Sequence, residues 1–361
     1  MISAFQDVPP FDQATAEAFG GRMMDVLNGA SLATMLSIGH QTGLFDTMAG
    51  LPPSTSAEVA TATGLQERYV REWLGAMATG KIVDYDPVGA TYHLPAEHAA
   101  ALTRAAGADN VAFFTQYFAL IGEIEQQVVR CFCEGGGVPY SAYPRFQKLQ
   151  AEETARIFDA FLLDVALPLA PGLVERLEEG IDVLDIGCGS GHAINLMAGR
   201  FPNSRFTGHD FSSEGVAAGR AEASRLGLSN AHFAERNVSE FNQPGRYDLI
   251  TAFDVVHDLA KPETVLRAVH AALRPGGIFF MQDIAASSDL ADNLEHPLGP
   301  LLYTISATHC MTVSLAQGGP GLGTVWGRQL ALQMLAEAGF TQVSVEDVPG
   351  DFMNHYYIAQ V

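Results

Sequence analysis

The 361-residue chain is 48% apolar and 17% charged, enough for two domains of ordinary size and too apolar for wholesale disorder. Its formal net charge of −21 argues against a phosphate backbone or an anionic lipid surface as partner, and no apolar run reaches bilayer length. Four cysteines do not make a disulfide framework, and Met1 to Asp7 lacks a basic region before an apolar core, so no secretory signal and a reducing, cytoplasmic setting are expected.

Residues 12–48 read as helices. Met23, Met24, Val26, Leu27, Leu32, Met35 and Leu36 recur at helical spacing, the pattern of a buried face. Ser54-Thr55-Ser56 is a hydroxyl-rich cap for a short helix that Gly64 ends. Residues 66–79 read as a second helix, with Val70, Trp73, Leu74 and Met77 on one side. Residues 81–85 and 90–94 read as short strands around a turn at Asp86-Pro87-Val88-Gly89. Helix, helix, strand, turn, strand is a winged helix. Across residues 51–100, however, Arg68, Arg71 and Lys81 face six acidic residues, the wrong sign for a DNA-facing module. Residues 1–105 are therefore expected to be a helical, winged-helix domain that packs or dimerises.

Residues 106–165 are expected to be a helical connector contributing to a substrate pocket. Phe113, Phe114, Tyr117 and Phe118, at helical spacing, read either as a core face or as pocket lining. Residues 135–144 form a glycine- and proline-rich loop, whose Tyr140 and Tyr143 either close over a ligand or sit on the surface. Cys131 and Cys133 have no partners at metal-ligand spacing and are expected to be ordinary buried thiols.

From residue 166 to 361 strands alternate with helices, the pattern of an α/β fold with a doubly wound sheet. Seven strands are expected, over residues 183–186, 205–210, 231–235, 247–253, 277–283, 342–348 and 354–360. The first runs into Asp185-Ile186-Gly187-Cys188-Gly189-Ser190-Gly191. Glycines at alternate positions turn the backbone sharply and let a ligand approach the main chain. In such sheets ligands bind beyond the carboxyl ends of the strands, at the switch point.

The G-x-G-x-G spacing, the acidic residue after the second strand (Asp210), Asn237-Val238, Tyr247-Asp248 and the turn Arg274-Pro275-Gly276-Gly277 together resemble the class I S-adenosylmethionine-dependent methyltransferases. The resemblance covers residues 170–361 and implies a Rossmann-like seven-stranded sheet that binds S-adenosylmethionine and releases S-adenosylhomocysteine. It implies a cofactor site of Asp185, Gly187, Gly189, Gly191, Asp210, Phe211, Asn237, Val238 and Phe253. Asp210 would hold the ribose hydroxyls, Phe211 would pack on adenine, and Asn237-Val238 would read its edge. Asp185 and the carbonyls near Phe253 would face the methionine part.

His257-Asp258, just past the fourth strand and combined with a winged helix, resembles the two-domain small-molecule O-methyltransferases. There the histidine is the general base for an acceptor hydroxyl. An imidazole suits this role because it can take a phenol proton when held within hydrogen-bond reach. The chain departs from the pattern at Leu259, where the family has tryptophan, and at Phe253, where lysine is common. The acidic support for the histidine is not placed; Glu295, His296, His309-Cys310-Met311 and residues 317–326 are candidates, the last expected at the pocket mouth. The apolar insertion at 289–326 is expected to form a helix and a lid over an apolar acceptor site, with Tyr140, Tyr143, Tyr303 and His309 as substrate-contact candidates. Methyl transfer to nitrogen or carbon, and a regulator that senses the cofactor and binds DNA through the wing, are the alternatives. A homodimer is expected from the resemblance, and no metal, nucleic-acid or membrane partner.

Overall fold

The computed structural model describes residues 11–361, so the expectation about Met1 to Asp7 lies outside the described residues. The chain divides into two compact units, one ending at Ala119 and the other Leu120–Val361.

The first unit opens with α1 (Gln13–Thr42) and α2 (Leu44–Met48), joined at Gly43 in the left-handed conformation. α3 (Ser56–Thr63) and α4 (Glu67–Thr79) follow, then the antiparallel pair β1 (Asp84–Asp86) and β2 (Thr91–His93). α5 (Ala96–Leu102) and α6 (Val111–Phe114) complete it. Val70, Trp73, Leu74 and Met77 of α4 are buried with Phe45, Val59 and Val83, so the helical period read from sequence is the core face. The Trp73 indole N–H donates to the Met35 carbonyl, tying α4 to α1. The wing is shorter than expected. Lys81 takes a positive φ of 58°, which keeps residues 81–83 out of the strand. On α4, Arg68 and Arg71 are paired with Glu72 and Glu67, so its basic side chains are already neutralised.

Two sequence expectations fail here. Met23, Met24, Val26 and Leu27 are 40–59% exposed rather than buried. Periodicity identifies an apolar stripe on α1, but it does not supply a covering element. Cys133 is exposed and Cys131 half-buried, both in the last turn of α7 (Gln116–Glu134). Phe113 and Tyr117 are buried and meet edge to face, whereas Phe118 is exposed.

The second unit continues from α7 through α8 (Phe146–Phe161) and α9 (Leu173–Glu179) to a seven-stranded sheet. Its chain order is β3 (Asp182–Ile186), α10 (His192–Arg200), β4 (Arg205–Asp210), α11 (Ser213–Leu226), β5 (Ala231–Glu235), β6 (Tyr247–Phe253), α12 (Pro262–Ala272) and β7 (Leu273–Ile284). An insertion carries α13 (Leu290–Asn293), α14 (Gly299–Ile305) and α15 (Met311–Ala316). Then come α16 (Gly327–Glu337), β8 (Gln342–Val348) and β9 (Asp351–Gln360). The spatial order is β5-β4-β3-β6-β7-β9-β8, parallel except that β9 runs antiparallel to β7 and to β8. This is the α/β, Rossmann-like sheet behind a winged helix that the sequence implied.

Strands β3 and β6 are nearly wholly buried because apolar layers cover both faces, one containing Leu167, Ile194, Met197 and Phe206, the other Leu266, Val269, Leu335 and Phe340. At the amino ends, Arg274 binds both Asp182 of β3 and Asp248 of β6, so the Tyr-Asp and Arg-Pro-Gly-Gly motifs lock neighbouring strands in register. Among the described residues no single helix is long and apolar enough to cross a membrane.

The Thr55 hydroxyl accepts from the Glu58 N–H while the Glu58 carboxylate accepts from the Thr55 N–H, a complete capping box on α3. Thr55→Ala is expected to cost about 1 kcal/mol, read as a lower midpoint in urea unfolding followed by Trp73 fluorescence.

Candidate active site

The strand order reverses direction between β3 and β6, and beyond the carboxyl ends at such a switch point is where open α/β sheets form a ligand crevice. The glycine loop leaves β3 there. Gly187, Gly189 and Gly191 all have positive φ, of 67°, 52° and 75°. Each has a separate reason to lack a side chain. A Cβ at Gly187 would strike Val255 and one at Gly191 the Phe233 ring, whereas at Gly189 it would meet open space, so there only the backbone conformation demands glycine. The carboxylate of Asp210, ending β4, accepts from the Gly189 N–H at 2.8 Å and the Ser212 N–H at 2.7 Å. Asp210 thus ties the glycine loop to the end of the neighbouring strand. Burial raises its carboxyl above the ordinary range, against the bonds from the Ser212, Gly189 and Phe211 backbone.

Asp185 is buried inside β3 and accepts from the Thr251 hydroxyl at 2.7 Å. Burial pushes its carboxyl up to about 7, only partly opposed by Thr251. Asn237 caps the short turn at Val238–Glu240, its side-chain oxygen accepting from the Ser239 N–H, and Val238 is buried in the sheet core. Phe253, at the end of β6, packs edge to face on Phe158. Phe211 is exposed, with its ring centroid 5.2 Å from that of Tyr140.

The centre of the crevice is His257. It is buried, in a short 3₁₀ turn, Val256–Asp258, that follows β6. Its Nδ1 lies 2.8 Å from Asp283 Oδ1. That oxygen also accepts from the Trp326 indole N–H and the Ile284 N–H, each at 2.9 Å. With a carboxylate on Nδ1, the ring keeps that proton, and the Nε2 lone pair faces the other way when the ring is neutral. Nε2 lies 3.3 Å from Asp258 Oδ1 and 3.8 Å from Asp254 Oδ1. Asp254 is a non-glycine residue at φ 58°, a strained conformation that redirects the chain out of β6. Burial alone would lower the imidazole's pKa, but the nearby carboxylates of Asp283 and Asp258 outweigh it and hold the pKa well above the ordinary value. Burial pushes the Asp254 carboxyl up to about 6, opposed by the histidine.

The tyrosine loop reaches this centre. Tyr140 donates to Asp258 Oδ2 at 2.7 Å, and Tyr143 donates to the Thr308 carbonyl at 2.6 Å. His309 stacks on Phe146 with centroids 4.0 Å apart, and both tyrosine rings meet it edge to face. Burial depresses the His309 imidazole to about 4. Tyr140, Tyr143 and His309 are therefore one cluster beside His257-Asp258. Tyr303 makes none of these ring contacts; its hydroxyl accepts from the Asn293 side chain.

The support for His257 is not where the sequence candidates lie. Glu295 is exposed, and His296 bonds the Ala285 carbonyl and the Leu298 N–H. Asp283 supplies the support. The available signal was an acid ending an otherwise apolar buried strand next to β6. Trp326 is buried in the sheet core with its indole on Asp283, rather than at a pocket mouth. The insertion runs as α14, a π-helical turn Ser306–Cys310 and α15, and the Ser314 hydroxyl donates to the Leu259 carbonyl.

Two family models match the chain: the Rv2258c-like winged HTH domain over residues 30–104 and a methyltransferase domain over residues 177–339. A curated arsenite methyltransferase from Aquipseudomonas alcaligenes is 28% identical over 171 residues, 45% of this chain and 46% of that enzyme. The chain thus spans about half the length of the curated relatives it matches. Among solved structures, a putative O-methyltransferase from Nostoc punctiforme superposes with a TM-score of 0.71 at 19% identity, covering 94% of this chain and 98% of that one. Human N-acetylserotonin methyltransferase, solved with S-adenosylmethionine, gives 0.69 at 18% identity, over 100% and 99%. At these identities the likeness is one of fold.

Asp283→Ala would leave the His257 imidazole and the Trp326 N–H without their shared acceptor. Its expected cost is about 3 kcal/mol or more at neutral pH, measured by urea denaturation, because breaking one side of a buried pair strands the other. An unchanged midpoint would remove Asp283 from the account of the site.

Proposed function

We propose that this chain, a winged helix-turn-helix domain joined to a methyltransferase domain, is an S-adenosylmethionine-dependent enzyme that methylates a hydroxyl of a small apolar or aromatic molecule. The observation that carries the reading is His257: buried beside the glycine-loop crevice, fixed at Nδ1 by Asp283, with Nε2 turned away from that bond.

The residues fit the cofactor. The main chain at Gly189 borders open space, and Asp185 is a buried carboxyl that accepts from the Thr251 hydroxyl. A cationic ligand would satisfy it. Asp210 stands at the end of β4, where ribose hydroxyls would meet its remaining lone pairs, with Phe211, Asn237 and Val238 on the adenine side. Bound S-adenosylmethionine would supply an electrophilic methyl on a sulfonium. The chain's own part is positioning and proton removal. Nε2 takes the acceptor's hydroxyl proton, and Asp283 on Nδ1 stabilises the imidazolium that results. Asp258, held by Tyr140, sets the acceptor side of the imidazole, and the rings of Tyr140, Tyr143 and His309 offer flat apolar surface. We place the enzyme in the cytoplasm, consistent with its four free cysteines. We further infer a homodimer, using the exposed apolar stripe of α1. A second reading, methyl transfer to nitrogen, is favoured by Asp254 and Asp258 together, which would hold an amine through its N–H groups and take up the proton it loses on methylation.

Two measurements follow. Calorimetry with S-adenosylhomocysteine should give binding that Asp210→Ala weakens severely and His257→Ala leaves intact. With a hydroxylated acceptor, His257→Ala should lower turnover about 10²- to 10⁴-fold, the usual worth of a positioned base; an unaffected rate would transfer the reading to nitrogen.

The pH profile is a separate test. The base acts only when neutral, and its neighbours hold its pKa above the ordinary imidazole value. Log kcat/KM should therefore climb with pH across and above neutrality, with a slope of about one on the acid side, and fall toward lower pH. A rate already flat below neutrality would contradict that assignment.

A further inference from the structure

Besides its proposed partners, His257 Nε2 has a set of neighbours that the methyl-transfer reading does not use. Cys310, from the π-helical turn of the insertion, is buried, with its sulfur 3.7 Å from His309 Nδ1. Single donor atoms of His257, Asp258 and Cys310 all lie within 4.8 Å of one another. Asp258 Oδ1, 3.3 Å from Nε2, and Asp254 Oδ1, 3.8 Å away, are both shielded from solvent, and neither accepts a hydrogen bond. Such orphaned buried oxygens call for a partner.

We propose that His257 Nε2, Asp258 Oδ1 and Cys310 Sγ form a three-ligand binding site for a zinc-like divalent cation whose occupancy switches the enzyme off. The inference rests on the reading of His257 as the base. Three observations support it. The first is spacing: two tetrahedral ligands, each about 2.0 Å from a zinc ion, stand about 3.3 Å apart, so Nε2 and Asp258 Oδ1 already have this separation. The second is chemistry: one imidazole nitrogen, one sulfur and one carboxylate oxygen select a borderline-soft ion over magnesium or calcium. The third is orientation: Asp283 on Nδ1 makes the carboxylate–histidine arrangement that aims a ring at a metal.

Binding has a definite proton balance. The metal displaces the Nε2 proton and the thiol proton, both go to the buffer, and Nε2–metal and Sγ–metal bonds form with no change of oxidation state. Affinity therefore tightens as pH rises. The Nε2 lone pair cannot hold a metal and receive an acceptor proton together, so the cation competes with catalysis.

Cobalt(II) is the probe, because a thiolate ligand gives it a charge-transfer absorption that needs no turnover. The full chain should show this band with intense tetrahedral d–d absorption, saturating at one equivalent and bleached by zinc. Cys310→Ser should lose the band, whereas a Cys131→Ser, Cys133→Ser double variant should keep it. Asp258→Asn should weaken zinc binding about tenfold or more, the scale seen when groups around a metal are changed, and circular dichroism of each variant confirms its fold. In the turnover assay, zinc should inhibit and a chelator should restore the rate. Absence of the band at saturating cobalt, or its persistence in Cys310→Ser, overturns the metal site even if methyl transfer is active. The band without turnover on any acceptor would leave the metal site standing and overturn the functional reading on which its inhibitory role rests.

Discussion

A buried imidazole held among carboxylates is the constraint on which the rest of the catalytic unit depends. Taking either ion out of water costs several kcal/mol, and the His257–Asp283 contact is supported on one carboxylate oxygen only, Asp283 Oδ2 being buried with no hydrogen-bond partner. Asp283 Oδ1 accepts from three donors on three segments: the turn after β6, its own strand β7, and Trp326 before α16. Those segments meet because β6 and β7 pair in parallel with Phe253 opposite Gln282, and because the Asp254 N–H donates to the Gln282 carbonyl. The strand register thus places the acid and the imidazole side by side before any side-chain bond forms. Removing the charge pair would also loosen α16.

The sheet separates stability from chemistry along its strands. At the amino ends, Arg274 joins Asp182 and Asp248 in partly exposed ion pairs whose role is alignment. At the carboxyl ends, three different strands carry the buried acids Asp185, Asp210 and Asp283. There the backbone carries its irregularities: three left-handed glycines in one loop and a left-handed Asp254. Strain of this kind costs of order 1–3 kcal/mol at a non-glycine residue, and here it is offset by the regular, fully buried strands beneath.

The sheet was largely legible in the sequence because buried parallel strands are short continuous apolar runs between turn signals. Four of the seven strands coincide with the expected ranges, and the glycine spacing marked the switch point. Helix α4 was equally plain, since its apolar period and its buried face are the same residues. What the sequence concealed depends on tertiary neighbours. The stripe on α1 reads as core, yet among the described residues its side chains are exposed. Asp283 is invisible as a partner of His257 because 26 residues separate them and only sheet pairing brings them together. Tyr140 and Cys310 were visible as candidates, but their neighbours were not, since a loop and an insertion carry no periodic signal, and Asn237 accepts from the Ser239 N–H in a local turn.

Burial raises the carboxyls at the strand ends, and this connects their geometry to the proposed chemistry. Asp185 is pushed up to about 7 and Asp254, against the attraction of His257, to about 6, so burial penalises the ionised form of both. A cationic ligand adds positive charge and favours the ionised carboxylates as it binds. The sulfonium of S-adenosylmethionine is such a ligand; the thioether that remains after transfer has lost this charge. On the proposed reading the same buried carboxylates therefore favour the charged cofactor over its product, a discrimination drawn from electrostatics that shape alone would not provide, since the two differ by one methyl group.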